Sequence, residues 1–304
     1  MRYYVIVNPT SGRGLGGRSL PQIRKRFEQE GKDFTLVETT RQGHARQLAE
    51  QAALDGYDAV VCCSGDGTIN ETINGLVAAA QKGAQKTIFG VIAIGTGNDF
   101  AGGAGIATTL DASLDILMAG HTKVIDMGFV KGGDYPEGRY FGNGIGMGLD
   151  AAVGTQAEKI RWTRGLLAYL IGLLQTVFMY YDPPKVRIDI DGKVIEQYSL
   201  MVSVMNGRRM GGGFVMTPTS KIDDGLFDLC IAEAPSQWRI LQLIPYFLKG
   251  TQEGQKEILL TQGKKVRVEA LTGEFPCHAD GEWISKHATL IEAEMLPASL
   301  TIFA

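Results

Sequence analysis

The stretch from Ala59 to Ala80 reads AVVCCSGDGTINETINGLVAAA and indicates one β-strand, one turn and one α-helix. Its apolar run ends at Cys63, a glycine-rich turn follows, and apolar residues then recur at helical spacing from Ile69. A glycine-rich turn at a helix N-terminus presents unpaired backbone N–H groups and the positive end of the helix dipole, which suits phosphate oxygens. The alternative for any single turn of this kind is a tight connection that needs glycine at positive φ.

The N-terminal part of the chain repeats this pattern of a short strand followed by a helix. Such βαβαβαβ alternation predicts a parallel sheet with helices on both faces, and it places the functional loops at the carboxyl ends of the strands. A further helix is expected at Leu110–Ala119. The expected strands are Tyr3–Asn8, Asp33–Thr39, Asp58–Cys63 and Ile88–Ile94.

The pattern changes after residue 122 to strands at short spacing, which is typical of an antiparallel sandwich or barrel-like domain. Two helices, at 160–181 and Trp238–Leu248, interrupt these strands. Two-residue hairpin turns are expected at Asp191-Gly192 and Asp280-Gly281. The sequence therefore predicts an α/β protein of two domains. These are a doubly wound domain over residues 1–122 and an antiparallel β-sandwich-like domain over residues 123–298, with a last strand, 299–304, that returns to the first domain.

Three glycine-rich turns are expected at the same edge of the parallel sheet, where an open α/β sheet binds its ligand. Thr68 and Thr96 add hydroxyl donors to the backbone N–H groups of these turns. Three such turns together favour a polyphosphate ligand more strongly than any one alone. The turns are Asn8-Pro9-Thr10-Ser11-Gly12, Ser64-Gly65-Asp66-Gly67-Thr68 and Gly95-Thr96-Gly97-Asn98-Asp99.

Two better-known phosphate motifs can be tested directly. No G-x-x-x-x-G-K-[ST] sequence occurs, so a P-loop is absent. The segment Gly12–Gly17 does satisfy G-x-G-x-x-G, with Asp33 and Glu38 about 20 residues beyond it, although four residues separate it from the preceding strand. A dinucleotide-dependent oxidoreductase or a nucleotide kinase that uses this fingerprint is therefore an alternative function.

Composition excludes several classes of protein. The 304 residues include 40 glycines, 44% are apolar, and the net charge is only -3, so the chain is neither disordered, nor a coiled coil, nor collagen. The pI near 5.9 and the absence of a long basic run argue against binding to nucleic acid. The four cysteines lack metal or redox spacing and are interpreted as buried, reduced thiols of a cytosolic protein.

One stretch, Gly165–Tyr181, resembles a membrane segment in its apolar character. Its seventeen residues fall short of the roughly 20 that a spanning helix needs. The stretch is interpreted either as a buried helix or as a helix that lines a groove for lipid access.

Six motifs, in order along nearly the whole chain, resemble those of the soluble bacterial diacylglycerol kinases and related lipid kinases, a superfamily that includes the sphingosine kinases. The resemblance implies a fold of the NAD kinase/diacylglycerol kinase type, with a nucleotide-binding α/β domain, a β-rich lipid-binding domain and an active site in the cleft between them. One departure is Ser64, where the family usually has a glycine. The motifs are Asn8–Gly12, Gly65–Glu71, Gly95–Ala101, Ile125–Gly128, Lys221–Gly225 and Asp280–Glu282.

The resemblance also implies the activity: transfer of the γ-phosphate of ATP to the hydroxyl of diacylglycerol or a related lipid. A non-catalytic lipid-binding protein with the same fold is the second alternative. By resemblance, the nucleotide-binding residues are Asn8, Pro9, Thr10, Ser11, Gly12, Thr39, Gly65, Asp66, Gly67, Thr68, Ile69, Asn70, Glu71 and Thr96.

Catalytic and metal-binding residues follow from the same resemblance. Asp280 is expected to be the general base, with Glu282 as its partner or an alternative base; without the resemblance, Asp280-Gly281 reads as a hairpin turn. A structural Mg²⁺ site is implied at Asp224, with the backbone carbonyls of Lys221 and Leu226 as further ligands, and such oxygen donors suit a hard cation. Supporting acids are expected at Asp66, Asp99 and Asp126, and a catalytic Mg²⁺ arrives with ATP.

The expected partner is a diacylglycerol-like lipid at the inner membrane surface, to which a cytoplasmic enzyme would bind peripherally. A homodimer is a further expectation, because exposed edges of antiparallel domains often pair.

Overall fold

A computed structural model describes residues 1–160, 163, 165–179 and 182–304 of the chain. These residues form two compact units. The first comprises residues 1–125 together with 298–304, and the second comprises residues 126–297.

The first unit contains a parallel sheet of the order β2-β1-β3-β4, and the carboxyl-terminal segment adds a fifth parallel strand beside β4, where Ile302 pairs with Phe89. The strands are β1 Arg2–Val7, β2 Asp33–Glu38, β3 Ala59–Ser64 and β4 Ile88–Ala93. The helices are α1 Ser11–Gln29, α2 His44–Leu54, α3 Asp66–Gln81, α4 Asp99–Gly103 and α5 Leu110–Ala119.

Helices cover both faces of this sheet. Val5 and Val7 pack in one core cluster with Phe27 of α1 and Leu117 of α5. Because side chains alternate along a strand, Cys62 of β3 faces the other side, where its thiol lies beside Thr72 of α3. All six residues of β3 are buried, as expected for a central strand of a doubly wound sheet. The four cysteines are also buried, as predicted.

The second unit is a sandwich of two antiparallel sheets that share the long strand β9. Residues Lys193–Tyr198 of β9 pair with β8, whereas its later residues pair with β7 and β12. The inner faces of both sheets form one core. The strands are β5 Thr122–Gly132, β6 Tyr135–Phe141, β7 Gly144–Gly148, β8 Lys185–Ile190, β9 Lys193–Met205, β10 Arg209–Met210, β11 Phe214–Val215, β12 Phe227–Glu233, β13 Ile258–Gly263, β14 Lys265–Ala270, β15 Phe275–Ala279, β16 Glu282–Ala288 and β17 Leu290–Phe303. The sandwich and the doubly wound sheet confirm the predicted fold class.

Three helices accompany the sandwich: α6 Leu149–Lys159, α7 Gly165–Met179 and α8 Gln237–Lys249. Their apolar residues form a second core cluster with β9 and β12. The predicted helix at 160–181 corresponds to α7, and its positions 161, 162, 164, 180 and 181 lie outside the described residues. None of the described helices combines the length and the hydrophobicity that a membrane span requires.

The two predicted hairpin turns are confirmed. Asp191 and Gly192 adopt φ of 52° and 88° between β8 and β9, and Asp280 and Gly281 adopt φ of 50° and 80° between β15 and β16. Positive φ at both central residues is the signature of a type I′ turn. The strands β6 and β7 are separated by two residues: β6 ends at Phe141 and β7 begins at Gly144, because the intervening amides donate to the Asp280 side chain instead of a neighbouring strand.

Candidate functional site

Two of the predicted phosphate turns meet where the strand order of the first unit reverses, between β1 and β3. Asn8, which follows β1, donates from Nδ2 to the Thr68 hydroxyl at 3.0 Å. The Asn8 Oδ1 atom accepts from the Thr10 backbone N–H at 3.1 Å and from the Thr10 hydroxyl at 2.9 Å. Asn8 therefore crosslinks the turns at the reversal point, where open α/β sheets bind ligands.

The third turn packs against both of these, backbone to backbone. A Cβ atom added to Gly95 would lie 2.5 Å from the Gly65 Cα atom. Real Cβ atoms essentially never lie this close to a neighbouring atom. Gly12 adopts a φ of 52°, and a Cβ there would lie 2.3 Å from the Ile94 carbonyl oxygen. Glycine is thus required for close approach, and it leaves backbone amides rather than side chains to form the surface of the turns.

Two acidic side chains flank the third turn. Asp66 accepts from the Phe100 backbone N–H through Oδ1 at 3.0 Å. A Cβ placed on Gly97 would lie 3.1 Å from the Asp66 Oδ2 atom and 3.5 Å from the Asp99 Oδ2 atom. The structure therefore brings two of the predicted acids to the same turn, beside the exposed Thr96.

Other predicted nucleotide-binding residues lie around the turns rather than on their surface. The Thr39 backbone N–H donates to the Val7 carbonyl at 2.9 Å, which places this buried residue at the end of β1. Ile69 and Asn70 are buried within α3. Glu71 accepts from the Gly43 and Ala45 backbone N–H groups at 2.7 and 3.2 Å and so caps α2. These side chains hold α2 and α3 together beside the turns.

In the second unit, Asp280 is buried and held by backbone amides. Its Oδ2 atom accepts from the Gly142 N–H at 2.8 Å, and its Oδ1 atom accepts from the Asn143 and Gly144 N–H groups at 2.9 and 3.0 Å. The Asp280 backbone N–H donates in return to the Gly144 carbonyl at 3.0 Å. The carboxylate therefore has a fixed orientation, and Glu282 follows it at the start of β16.

A hydrogen-bonded chain runs from this loop to the predicted metal turn. Asn206 is fully buried, and its Nδ2 atom donates to the Gly142 carbonyl at 2.8 Å and to the Asp126 carbonyl at 3.0 Å. The Asp126 Oδ2 atom accepts from the Gly225 N–H at 2.6 Å. The Asp126 N–H donates to the Ile222 carbonyl at 2.7 Å. The predicted acid Asp126 therefore shapes the turn that carries Asp224.

The metal turn has the donors that a hard cation prefers. Asp224 is exposed and accepts from the Leu226 N–H at 3.1 Å through Oδ1. Behind the turn, Asp228 is buried, and its Oδ2 atom lacks a hydrogen bond of normal geometry. Burial raises the pKa of Asp228, and the negative charge of Asp224 adds to this. A cation at the turn would favour the ionised form of both carboxyl groups, so these residues fit Mg²⁺.

An apolar cleft lies in the second unit between the helices and β9–β11. The cavity inside it is about 60 Å³. This is smaller than the roughly 300–1,000 Å³ of typical ligand sites, so a ligand would have to displace some of the side chains that line it. Its lining includes Leu173 of α7, Ile240 and Phe247 of α8, and the methionines Met201 and Met210, whose flexible side chains adapt to irregular apolar ligands.

One ionisable side chain, Asp150, also lines this cleft. Its Oδ1 atom accepts from the Ala151 N–H at 2.8 Å and its Oδ2 atom from the Ser203 hydroxyl at 3.0 Å. Burial raises the pKa of Asp150 to about 7. A Cβ on Gly146 would lie 2.4 Å from the Asp150 Oδ2 atom and 2.6 Å from the His278 Nε2 atom, and burial lowers the pKa of His278 to about 4.

The sequence reasoning missed Asp150 and Asp228. Both carboxyl groups are important because they are buried, and burial is produced by packing between distant segments. The only local signal for Asp150 is an acidic residue two positions after the glycine-rich run that ends at Gly148.

Solved structures share this fold. A diacylglycerol kinase from Bacillus anthracis gives a TM-score of 0.74 at 23% identity, covering 99% of this chain and 96% of that one. Yeast NADH kinase complexed with NADH gives a TM-score of 0.54 at 11% identity, covering 99% of this chain and 82% of that one. At these identities the likeness concerns the fold alone. It defines the fold class as an α/β unit followed in the chain by a β-sandwich.

The family is defined by sequence. Residues 2–130 match the Diacylglycerol kinase catalytic domain, and residues 143–304 match the YegS C-terminal NAD kinase beta sandwich-like domain. The diacylglycerol kinase of Bacillus subtilis is 31% identical over 284 residues, covering 93% of this chain and 90% of that protein. That of Mycobacterium tuberculosis is 29% identical over 300 residues, covering 98% and 93%. The chain belongs to the diacylglycerol kinase family and is a lipid kinase, as the resemblance predicted.

Proposed function

We propose that this lipid kinase uses ATP and Mg²⁺ to phosphorylate the hydroxyl of diacylglycerol or a closely related lipid. The observation that carries the proposal is the convergence of three glycine-rich turns at the point where the strand order reverses. Membership of the diacylglycerol kinase family favours this activity over an oxidoreductase that uses the Gly12–Gly17 fingerprint.

The nucleotide phosphates lie against the backbone amides of Asn8–Gly12 and Gly65–Thr68 in this proposal. The exposed Thr96 hydroxyl adds a donor. Asp66 and Asp99 would hold the Mg²⁺ that arrives with ATP, while Ile69, Asn70 and Glu71 would fix the position of the second turn. Phosphoryl transfer depends mainly on such positioning and on charge stabilisation.

Asp280 is proposed to orient the lipid hydroxyl and accept its proton, with Glu282 as its partner. The transition state of phosphoryl transfer is loose, so the acceptor hydroxyl needs an oriented hydrogen-bond acceptor more than a strong base. The three backbone amides that hold Asp280 supply that orientation. The structural Mg²⁺ site is proposed at Asp224 with the carbonyls of Lys221 and Leu226.

The apolar cleft is proposed to hold an acyl chain of the lipid. Its lining is almost entirely aliphatic, aromatic or methionine side chains, and hydrocarbon transfer into such a site contributes about 0.8 kcal/mol for each buried CH₂ group. Asp150, as a neutral carboxyl group, would be compatible with that apolar surface.

Radiolabelled ATP and a panel of lipids test the proposal. Wild type should label a diacylglycerol, and Asp66→Asn and Asp280→Asn should each lower kcat/KM by on the order of 100-fold or more. The matched control is Asp134→Asn, an exposed acid in the β5–β6 turn, which should keep full activity.

The outcomes separate the alternatives. Binding of ATP and lipid by wild type without any labelled product would support the non-catalytic protein. Tight binding of NAD(P) without ATP binding would support the oxidoreductase. Full activity of Asp280→Asn would overturn the assignment of Asp280 as the base, but it would leave the proposed kinase activity intact.

A further inference from the structure

Helices α7 and α8 of the second unit present an exposed apolar face. Among the described residues, thirteen large hydrophobic side chains are exposed, and six of them lie on these two helices. The helices contain only 15 and 13 of the 304 residues, so the six are strongly concentrated. The α7–α8 face is defined by Leu167, Leu174, Phe178, Met179, Trp238 and Tyr246.

The face is continuous between the two helices. Leu167, Leu174 and Phe178 are spaced by seven and four residues and therefore share one side of α7. The Phe178 ring meets the Trp238 ring edge to face, with centroids 5.6 Å apart and an interplanar angle of 70°. Even with this contact, Trp238 is 70% exposed. A tryptophan so exposed, next to other large apolar groups, marks an interaction surface.

The same helices line the apolar cleft with their other sides. Leu173 belongs to α7, and Ile240, Leu243 and Phe247 belong to α8. Each helix is therefore apolar both toward the cleft and toward solvent. A helix that only closed a pocket would be polar on its solvent side.

The charge of the two helices favours a lipid partner. Neither α7 nor α8 contains an aspartate or a glutamate, and their only charged residues are Arg239 and Lys249. Arg239 is paired with Glu257 at 3.0 Å, so Lys249 is the cation exposed on α8. The face therefore carries no negative charge that would repel anionic headgroups.

We propose that the α7–α8 face docks on the surface of a lipid bilayer, with Trp238 at the level of the headgroups. Tryptophan suits this depth because its ring is apolar and its N–H is polar. The helices lie in the interface without crossing it. This inference rests on the proposed function in one respect: a lipid substrate has to leave a bilayer, and the face borders the cleft proposed to receive its acyl chain.

Co-sedimentation with vesicles, in the absence of nucleotide, tests the docking surface. The probes are phosphatidylcholine vesicles with and without phosphatidylglycerol. Replacing both aromatic side chains (Phe178→Ser with Trp238→Ala) should lower the partition coefficient by on the order of 100-fold, about tenfold for each large side chain. Trp238→Phe should retain most of the binding. The matched control is Val194→Ser, which replaces an exposed aliphatic side chain of the β8–β9 hairpin, outside α7 and α8; binding should not change.

Activity is measured separately, on a short-chain diacylglycerol below its micelle concentration, where the double variant should equal wild type. If wild type phosphorylates no lipid, the proposed function fails, and the vesicle experiment still decides the docking surface. Unchanged vesicle binding by the double variant would overturn the inference. If wild type elutes as a dimer on size exclusion and the double variant elutes as a monomer that still binds vesicles, the inference would also be overturned. The face would then be assigned to contact with a second copy of the chain.

Discussion

Asp150→Asn should make the protein more stable, and by an amount that depends on pH. Asp150 is 6% exposed, and burial raises its pKa from the ordinary 3.8 to about 7. In the unfolded chain the carboxyl group ionises as the pH rises through its ordinary value, whereas the folded protein keeps it protonated up to about pH 7. The free energy of unfolding of the wild type therefore falls as the pH rises from the ordinary pKa to the raised one. Above the raised pKa the loss of stability is complete and stays constant.

The magnitude follows from the two pKa values. Each pH unit between them costs about 1.4 kcal/mol, so the whole penalty is about 4 kcal/mol, of which about 3 develops between about pH 5 and pH 8. Asparagine is neutral throughout and nearly the same shape. Its carbonyl can accept from Ala151, and its amide can donate to the Ser203 hydroxyl, so the local hydrogen bonds survive.

Urea unfolding followed by tryptophan fluorescence measures the effect, because Trp238 and Trp283 lie in the same unit as Asp150. The advantage of Asp150→Asn over wild type should increase by about 3 kcal/mol from about pH 5 to pH 8. Burial lowers the pKa of the nearby His278 to about 4, so its ring is neutral in the folded protein over this pH range. Asp134→Asn, which replaces an exposed acid, should show no such trend. An advantage that is equal at the two pH values would refute the claim that Asp150 is buried and neutral.

Three further predictions concern single positions. Gly95→Ala should lower kcat/KM by on the order of 100-fold because its Cβ would displace Gly65, whereas Gly102→Ala, with no neighbour within 4 Å, should be active. Asp224→Ala should abolish the rise in melting temperature that Mg²⁺ produces without nucleotide; an unchanged rise would remove the metal site from this turn. Glu71→Ala should lower the free energy of unfolding in urea by about 1 to 2 kcal/mol, because the cap of α2 is lost. An unchanged free energy of unfolding would contradict that role.

The first unit could be predicted because its signals are local. Apolar runs at strand spacing, helical periodicity and glycines at the junctions define each βα step, and a parallel sheet then brings the turns to one edge. The sequence alone therefore predicts that the turns at Asn8, Gly65 and Gly95 lie together. The required contact between Gly65 and Gly95 is a consequence of this topology.

The second unit was less predictable because its decisive contacts are long-range. The break between β6 and β7 depends on Asp280, which lies 138 residues from Gly142 in the sequence and takes the amides that a continuous strand would use. The change of partner along β9 depends on which strands pack on either side of it. The apolar cleft and the burial of Asp150 and Asp228 arise from the same packing, which periodicity does not report.

The charge on the phosphate turns leads to a last prediction. The segments Asn8–Gly12, Ser64–Glu71 and Gly95–Asp99 contain no lysine or arginine, but they contain Asp66, Glu71 and Asp99. Backbone amides and helix dipoles provide only partial positive charge, so the triphosphate of ATP would be repelled by the two carboxylates beside Gly97 unless a cation lies between them.

Removing Mg²⁺ with a chelator should therefore weaken ATP binding by at least about tenfold in isothermal titration calorimetry, which corresponds to about 1.4 kcal/mol. Asp66→Asn and Asp99→Asn should each reduce this dependence on the metal, because each removes part of the repulsion. Adenosine, which has no phosphates, serves as the control and should bind equally with and without Mg²⁺. Equal ATP affinity in both conditions would place the phosphates away from these acids and would require another source of positive charge.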